Sequence, residues 1–255
     1  MAQRSLRRVL EEGRPLFGAW MQMSNPMEVE IVGDLGFDWI GVDTQHGLLD
    51  FAELRAMLQA ASISGTPAIV RVGSNDLTEI GRALDCGAQG IIVPLIETAE
   101  EAARAAHSCR YPPRGGRSWG ALRTPTSEKW SPAVGNDVAV RFAMVETLKG
   151  LENIDAIAGV PEVDAIYVGP NDIAVSAGLP PSLALREDEH VEMFETIARA
   201  AAKAGKWLGT HPGTEDVSWY VQTGYRVLPI YRHVSAIRAE ASRVLGIARE
   251  TVGPQ

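Results

Sequence analysis

Residues 140–172 read VRFAMVETLKGLENIDAIAGVPEVDAIYVGPND and contain the pattern that decides the fold. Two short apolar runs, VRFAMVE (140–146) and VDAIYVG (163–169), flank a stretch with apolar residues at helical spacing. Strands with little polar alternation are expected where both faces of a sheet are buried, and a strand–helix–strand order gives parallel neighbours. This stretch therefore predicts one βαβ unit of a parallel α/β sheet.

The same alternation runs along the rest of the chain. Besides the two runs above, strands are predicted at LFGAWM (16–21), FDWIGVD (37–43), PAIVRV (67–72), GIIVPL (90–95), KWLGTH (206–211) and YRVLPI (225–230). Helices are predicted at 26–35, 51–63, 76–86, 98–109, 149–158, 187–204, 214–222 and 233–249. Eight βα units favour a single (β/α)₈ TIM barrel over residues 1–255. The alternative, an open doubly wound sheet, lacks its G-x-G-x-x-G signal after the first strand.

Composition restricts the classes of partner. The net charge of -8 disfavours nucleic acid, and no apolar run is long enough for a membrane span or a secretory signal. Cys86 and Cys109 are too few for a disulfide framework, so we expect a cytoplasmic protein. One segment, 110–137, is rich in proline and glycine and interrupts the pattern. We interpret it as an active-site or subunit-contact loop, with a tolerated surface insertion as the alternative.

Catalytic groups of such barrels lie at the carboxyl ends of the strands, where the loops converge on one mouth. This rule selects six residues: Trp20, Asp43, His46, Arg71, Glu146 and Asp172. Two of them, Glu146 and Asp172, follow adjacent strands and would repel each other unless a cation lay between them. Hard oxygen ligands favour Mg²⁺ or Mn²⁺, with Co²⁺ or Zn²⁺ as further options. The alternative is that each carboxylate only caps a helix.

The turn Gly169-Pro170-Asn171-Asp172 can aim backbone N–H groups at an anionic ligand. Arg71, near the end of a buried strand, needs an anionic partner, either a substrate oxygen or a carboxylate such as Asp43 or Glu146.

Among the histidines, His46 shares its turn with Asp43, which could orient the imidazole for acid/base chemistry. His211 ends the seventh predicted strand and is the second choice. His107, His190 and His233 are expected at the surface. Asp85, near the end of the third predicted helix, is expected on an ordinary helix face.

The ordered segments VDTQHG, VRV, GAQGIIVPLIET, YPPRGGRSWG, VET and VGPND resemble the HpcH/HpaI family of class II pyruvate aldolases over nearly residues 16–180. The resemblance implies a phosphoenolpyruvate/pyruvate-type barrel that exchanges its last helix with a neighbouring subunit in a trimer or hexamer. It also implies four roles: Glu146 and Asp172 as metal ligands, His46 as acid/base, Arg71 as the enolate-stabilising cation, and Asp43 or Asp85 as partner of the histidine. From their place at the carboxyl ends of the strands, we expect Trp20, Arg71 and the turn of residues 169–172 to contact the substrate.

The resemblance implies reversible cleavage of a 4-hydroxy-2-oxo acid to pyruvate, or a close analogue, and an aldehyde through a metal-stabilised enolate. Three features depart from the family pattern: Met144 stands where many relatives have glutamine, RSWG replaces RGVG, and LPIYRH replaces a glycine-rich turn. Alternatives on the same fold are an acyl-CoA lyase of the citrate-lyase type and an oxaloacetate decarboxylase. A non-catalytic barrel that binds a keto acid is the alternative from another class.

Overall fold

The structure, a computed structural model, describes residues 4–124, 130–181 and 188–252. Its eight strands are parallel and close into a barrel in chain order, which confirms the predicted (β/α)₈ architecture. The strands are β1 (Leu16–Met21), β2 (Trp39–Asp43), β3 (Ala68–Arg71), β4 (Gly90–Val93), β5 (Val140–Val145), β6 (Ala165–Val168), β7 (Trp207–Thr210) and β8 (Val227–Arg232).

The helices are α1 (Leu6–Glu11), α2 (Pro26–Asp34), α3 (Phe51–Ser64), α4 (Leu77–Asp85), α5 (Ala99–Ser108), α6 (Pro132–Val138), α7 (Leu148–Glu152), α8 (Ile154–Ala158), α9 (Pro170–Ser176), α10 (Asp188–Lys203), α11 (Val217–Thr223) and α12 (His233–Val252). The helix predicted over 149–158 is two short helices, and α1, α6 and α9 were not predicted. The predicted start of α10, at residue 187, lies outside the described residues. β8 begins and ends two residues later than predicted.

Side chains alternate along each strand between the barrel interior and the surrounding helices, as strand geometry requires. The interior is aromatic, and Trp20 and Trp39 are almost wholly buried there with their rings edge to face at 6.3 Å. A Cβ on Gly41 would lie 2.3 Å from the Trp20 ring, so only glycine admits that ring at this height. Large side chains therefore fill the barrel interior beneath the mouth, and substrates can enter only at the carboxyl ends of the strands.

The amino ends of the strands are closed by α1. Leu6, Val9 and Leu10 are buried against the interior cluster. Arg7 donates to Asp164 at 3.1 Å, and Asp164 also accepts two hydrogen bonds from the Arg141 guanidinium. A six-residue helix is too short for a periodicity signal, which is why the sequence did not predict it.

The described parts of the proline- and glycine-rich segment, residues 110–124 and 130–137, lie at this closed end, because they follow the end of α5 and precede the start of β5. Arg117 reaches the end of α4, where it donates to Asp85 at 2.6 Å. The active-site interpretation is thus wrong within one chain for residues 110–124 and 130–137, whereas the subunit-contact interpretation stays a prediction. Residues 125–129 lie outside the described part.

The last helix, α12, packs against its own barrel only at its beginning. His233 is its one buried residue within the described part, and several large apolar side chains along it are exposed. They are Ile237, Val244, Leu245, Ile247 and Val252. No helix among the described residues combines the length and the apolarity needed to cross a membrane.

Candidate active site

Glu146 follows β5 directly and lies at the carboxyl end of the barrel. It is 2 % exposed, and its Oε1 accepts a hydrogen bond from the Leu95 N–H at 2.9 Å. Leu95 has φ 55°, a conformation that residues with a side chain seldom adopt, and it lies in the loop after β4. This strained residue fixes the buried carboxylate, and no local motif indicates its conformation.

Asp172 lies close to Glu146, in the first turn of α9. Burial raises the pKa of Glu146 to about 7; repulsion from Asp172 adds to this rise, while the Leu95 N–H and the charge of Arg71 oppose it. A Cβ on Gly169 would lie 2.4 Å from Oε2 of Glu146, so glycine is needed for this close approach. The structure thus brings together the two carboxylates that the sequence selected.

Arg71 ends β3 and faces the same mouth. Its Nε donates to Oδ1 of Asp43 at 2.9 Å, and its Nη2 donates to Oδ2 at 2.5 Å. Burial would raise the pKa of Asp43, but the hydrogen bonds and the positive charge of Arg71 lower it below its usual range. Of the partners that the sequence left open for Arg71, the structure selects Asp43.

His46 is exposed on the rim, in the turn after β2. Asp43 holds this turn through its Oδ1, which accepts the backbone N–H groups of Gln45 and His46 at 3.1 and 3.3 Å. We expected Asp43 to orient the imidazole; within the described structure it instead contacts the backbone of His46 and the guanidinium of Arg71. Asp43 therefore positions the loop that carries the histidine.

An aromatic group forms the floor of the site. Trp20 is 2 % exposed; its ring lies 5.4 Å from the Arg71 guanidinium carbon and 4.4 Å from the His211 ring. His211 Nδ1 lies 3.1 Å from the Tyr167 hydroxyl. Burial lowers the pKa of His211 to about 3, and the charge of Arg71 contributes. His211 is therefore a neutral floor residue.

Three other predictions need correction. Asp85 ends α4 at the closed end of the barrel and pairs with Arg117, so within one chain it cannot be the partner of His46. His190 and His233, expected at the surface, are buried. His190 packs edge to face on Phe194, and His233 Nδ1 accepts the Gln22 N–H at 3.3 Å. His107 is exposed, as predicted.

Two residues of the mouth were not assigned a site role from the sequence. Met144 points inward from β5 and is 1 % exposed, with its methyl group next to Gly169. Arg232 ends β8 beside Trp20 and is half-buried. The misplaced end of β8 hid Arg232, and simple strand alternation would have placed its side chain outward, because a register shift in the β1–β8 pairing turns it into the mouth.

The donor set of the mouth fits a divalent cation. Within the described ranges, no group of three or more His, Cys, Asp or Glu side chains is placed to hold a metal. Glu146 and Asp172 alone would supply two carboxylates, which is the usual protein contribution to a Mg²⁺ site that shares its ion with substrate and water. Burial is the main reason that the pKa of Glu146 is raised, and the nearby Asp172 carboxylate adds to it; a bound cation would favour the charged form of both carboxylates.

The comparisons with known proteins agree with this site. The model of the HpcH/HpaI aldolase/citrate lyase family matches residues 16–228. A hydroxypyruvate/pyruvate aldolase of Rhizorhabdus wittichii is 33 % identical over 241 residues, covering 93 % of this chain and 96 % of that protein. A 2-dehydro-3,6-dideoxy-6-sulfogluconate aldolase of Pseudomonas putida is 31 % identical over 242 residues, covering 93 % and 94 %.

Among solved structures, an HpcH/HpaI aldolase of Desulfitobacterium hafniense DCB-2 superimposes with a TM-score of 0.89 at 27 % identity, covering 96 % of this chain and 97 % of that one. The similarity therefore spans the whole barrel and includes the mouth. Relatives that match nearly end to end are named aldolases, which confirms the predicted class of enzyme. The chain is an aldolase-type lyase and belongs to the HpcH/HpaI aldolase/citrate lyase family.

Proposed function

We propose that the protein is a divalent-metal-dependent aldolase that reversibly cleaves a 4-hydroxy-2-oxo acid to pyruvate, or a close analogue, and an aldehyde. The observation that carries the proposal is the buried Glu146 carboxylate beside Asp172, facing Arg71 across the mouth. The relatives' names, which include pyruvate and 4-hydroxy-2-oxovalerate aldolases, support the substrate class.

Glu146 and Asp172 would hold the metal, with Mg²⁺ or Mn²⁺ as the preferred ions and Co²⁺ or Zn²⁺ as alternatives. When bound, the metal would act as a Lewis acid that makes the methyl protons of the keto acid more acidic. Gly169 supports this arrangement because its missing side chain leaves room for the Glu146 carboxylate.

Arg71 would stabilise the negative charge that develops on the enolate oxygen. Asp43 occupies Nε and Nη2, and within the described residues no hydrogen bond reaches Nη1. That group is available to a substrate oxygen. The start of α9 would receive the keto-acid carboxylate, because its N-cap residue, Gly169, has no side chain that could compete for the N–H groups of Asn171 and Asp172. Pro170 lacks an N–H and preorganises the turn.

His46 would move the proton between substrate and solvent. Its place on an exposed rim suits exchange with water, and the hydrogen bonds from its turn to Asp43 keep that rim in position. Trp20, on the floor of the site, would hold the guanidinium plane of Arg71 in its orientation and would not contact the substrate itself.

We further propose a cytoplasmic homo-oligomer, a trimer or hexamer, assembled through α12. The exposed apolar side chains of that helix support this assignment, since such a surface is seldom left in water.

The test is proton exchange at the methyl group of pyruvate, followed by NMR in D₂O with Mg²⁺ or Mn²⁺. We expect exchange that requires both the metal and His46. Pyruvate binding without exchange in the parent would favour a keto-acid-binding barrel and contradict the aldolase.

Calorimetry tests the metal ligands separately. We expect Glu146→Ala and Asp172→Ala each to abolish binding of Mn²⁺. Glu192→Gln, which changes an exposed carboxylate of α10, is the matched control and should bind like the parent. Unchanged affinity in both site variants would exclude this pair as the metal site.

A further inference from the structure

Arg232 points into the mouth from β8. Inward residues of this strand are Val227 and Pro229, and the register then shifts by one residue between Gly18 and Ala19 of β1. After the shift Tyr231 points outward, where its hydroxyl donates to Glu28. Arg232 consequently lies inward, level with Trp20.

Within the part of the chain that the structure describes, this arginine has no carboxylate partner, unlike the buried or largely buried arginines of the barrel. The others are paired: Arg71 with Asp43, Arg117 with Asp85, Arg110 with Glu162 and Arg141 with Asp164. Within the described residues, the only hydrogen bond of Arg232 is a long one, 3.5 Å, to the carbonyl oxygen of Pro212. A half-buried guanidinium is costly unless an anion accepts its hydrogen bonds.

The distribution of charge around the mouth indicates that this anion binds on the side of β8. The negative groups, Glu146 and Asp172, stand after β5 and β6, whereas Arg232 stands on β8. Its charge acts on His211, which is neutral and so cannot satisfy it. The charge of Arg71 is already balanced by Asp43. Among the described residues, Arg232 is therefore the cation of the mouth that remains for a ligand beside β8.

We infer that Arg232 is a specificity residue that binds a carboxylate carried by the acceptor aldehyde. The inference rests on the proposed aldolase function. The keto acid is assigned to the opposite wall, between Glu146, Asp172 and Arg71, so its partner must approach along the remaining side. A planar guanidinium matches a carboxylate in a two-point contact, which favours an aldehyde acid over a neutral aldehyde.

The experiment compares aldehydes that differ in charge. Pyruvate is condensed with succinic semialdehyde, with glyoxylate and with butanal, using the parent, Arg232→Met and Arg232→Lys. We expect the parent to prefer at least one of the two anionic aldehydes over butanal. Arg232→Met should lower kcat/KM for that aldehyde about tenfold to a hundredfold, mainly through KM, because a charged hydrogen-bond partner is lost. The kcat/KM of Arg232→Met for butanal should stay within about twofold of the parent value.

Controls separate this role from a structural one. Arg104→Met, on the exposed face of α5, should behave like the parent. Arg232→Lys keeps the charge and should recover part of the preference, which also covers the case in which Arg232→Met does not fold. An equal loss for anionic and neutral aldehydes, or no preference in the parent, would overturn the inference.

Exchange of the pyruvate methyl protons distinguishes the remaining outcomes. We expect Arg232→Met, or Arg232→Lys if only that variant folds, to exchange these protons like the parent. Loss of exchange in that variant alone would assign Arg232 to the keto acid and contradict the acceptor site. Absence of exchange in the parent would contradict the proposed function itself, and this inference with it.

Discussion

The Arg71 guanidinium lies side-on to the Asp43 carboxylate, with Nε 2.9 Å from Oδ1 and Nη2 2.5 Å from Oδ2. Both residues are buried, and the Trp20 ring lies next to the guanidinium. A positive charge held in this way cannot turn away from the mouth. Oxyanion stabilisation depends on such fixed charges, because no reorganisation is then needed during the reaction.

We expect Arg71→Ala to lower turnover about a hundredfold to a thousandfold, which corresponds to roughly 2.7–4 kcal/mol of barrier. The measurement is the rate of aldehyde condensation at saturating pyruvate, with the exposed Arg104→Ala as control. A turnover within about threefold of the parent would remove Arg71 from the proposed mechanism.

Met144→Gln should strengthen binding of the keto acid. Met144 lies inward beside Gly169 and Glu146, so a glutamine there would bring an amide next to the carboxylates. One added hydrogen bond is worth about 0.5–1.5 kcal/mol, or roughly a twofold to tenfold lower KM for pyruvate. Met144→Leu is the apolar control. An unchanged KM in a stably folded Met144→Gln would show that this position does not reach the substrate.

His211 should make the protein less stable in mild acid. Its pKa is about 3 in the folded protein against 6.5 as the ordinary value, so between these pH values the unfolded chain binds a proton that the folded one does not. The free energy of unfolding therefore falls as the pH drops below 6.5, by about 1.4 kcal/mol per pH unit.

The free energy of unfolding, measured with urea, should accordingly fall by about 2 kcal/mol less in His211→Phe than in the parent when the pH is lowered from 7 to 5. In His107→Phe, a change at an exposed position, the free energy of unfolding should depend on pH as it does in the parent. Equal slopes for parent and His211→Phe would show that the buried imidazole does not carry this effect.

Assembly can be tested on α12. Leu245→Glu places a charge among the exposed apolar residues of the helix, and we expect light scattering to report a smaller particle than for the parent. Ser242→Glu adds the same charge at a polar position of the helix and should leave the mass unchanged. A monomeric parent would contradict the proposed oligomer.

Parts of the site were predictable because strand ends carry positional information. Glu146 and Arg71 stand within or directly after apolar runs, so their direction followed once the strands were recognised. Asp85 was misplaced because its role came from resemblance and its helix runs to the closed end of the barrel. Arg232 received no role because β8 ends two residues later than predicted and a one-residue register shift turns Arg232 inward, and local sequence does not encode such a shift.

The sequence by itself determined the barrel, the aldolase class and the pair Glu146 and Asp172, because βα periodicity and the order of motifs are local properties. Only the tertiary structure decided that Asp43 binds Arg71, that His211 is buried and neutral, and that Arg232 enters the mouth with no carboxylate partner among the described residues. These features depend on contacts between inward side chains of different strands, which form only when the barrel closes. Burial and these contacts then decide whether each group is charged.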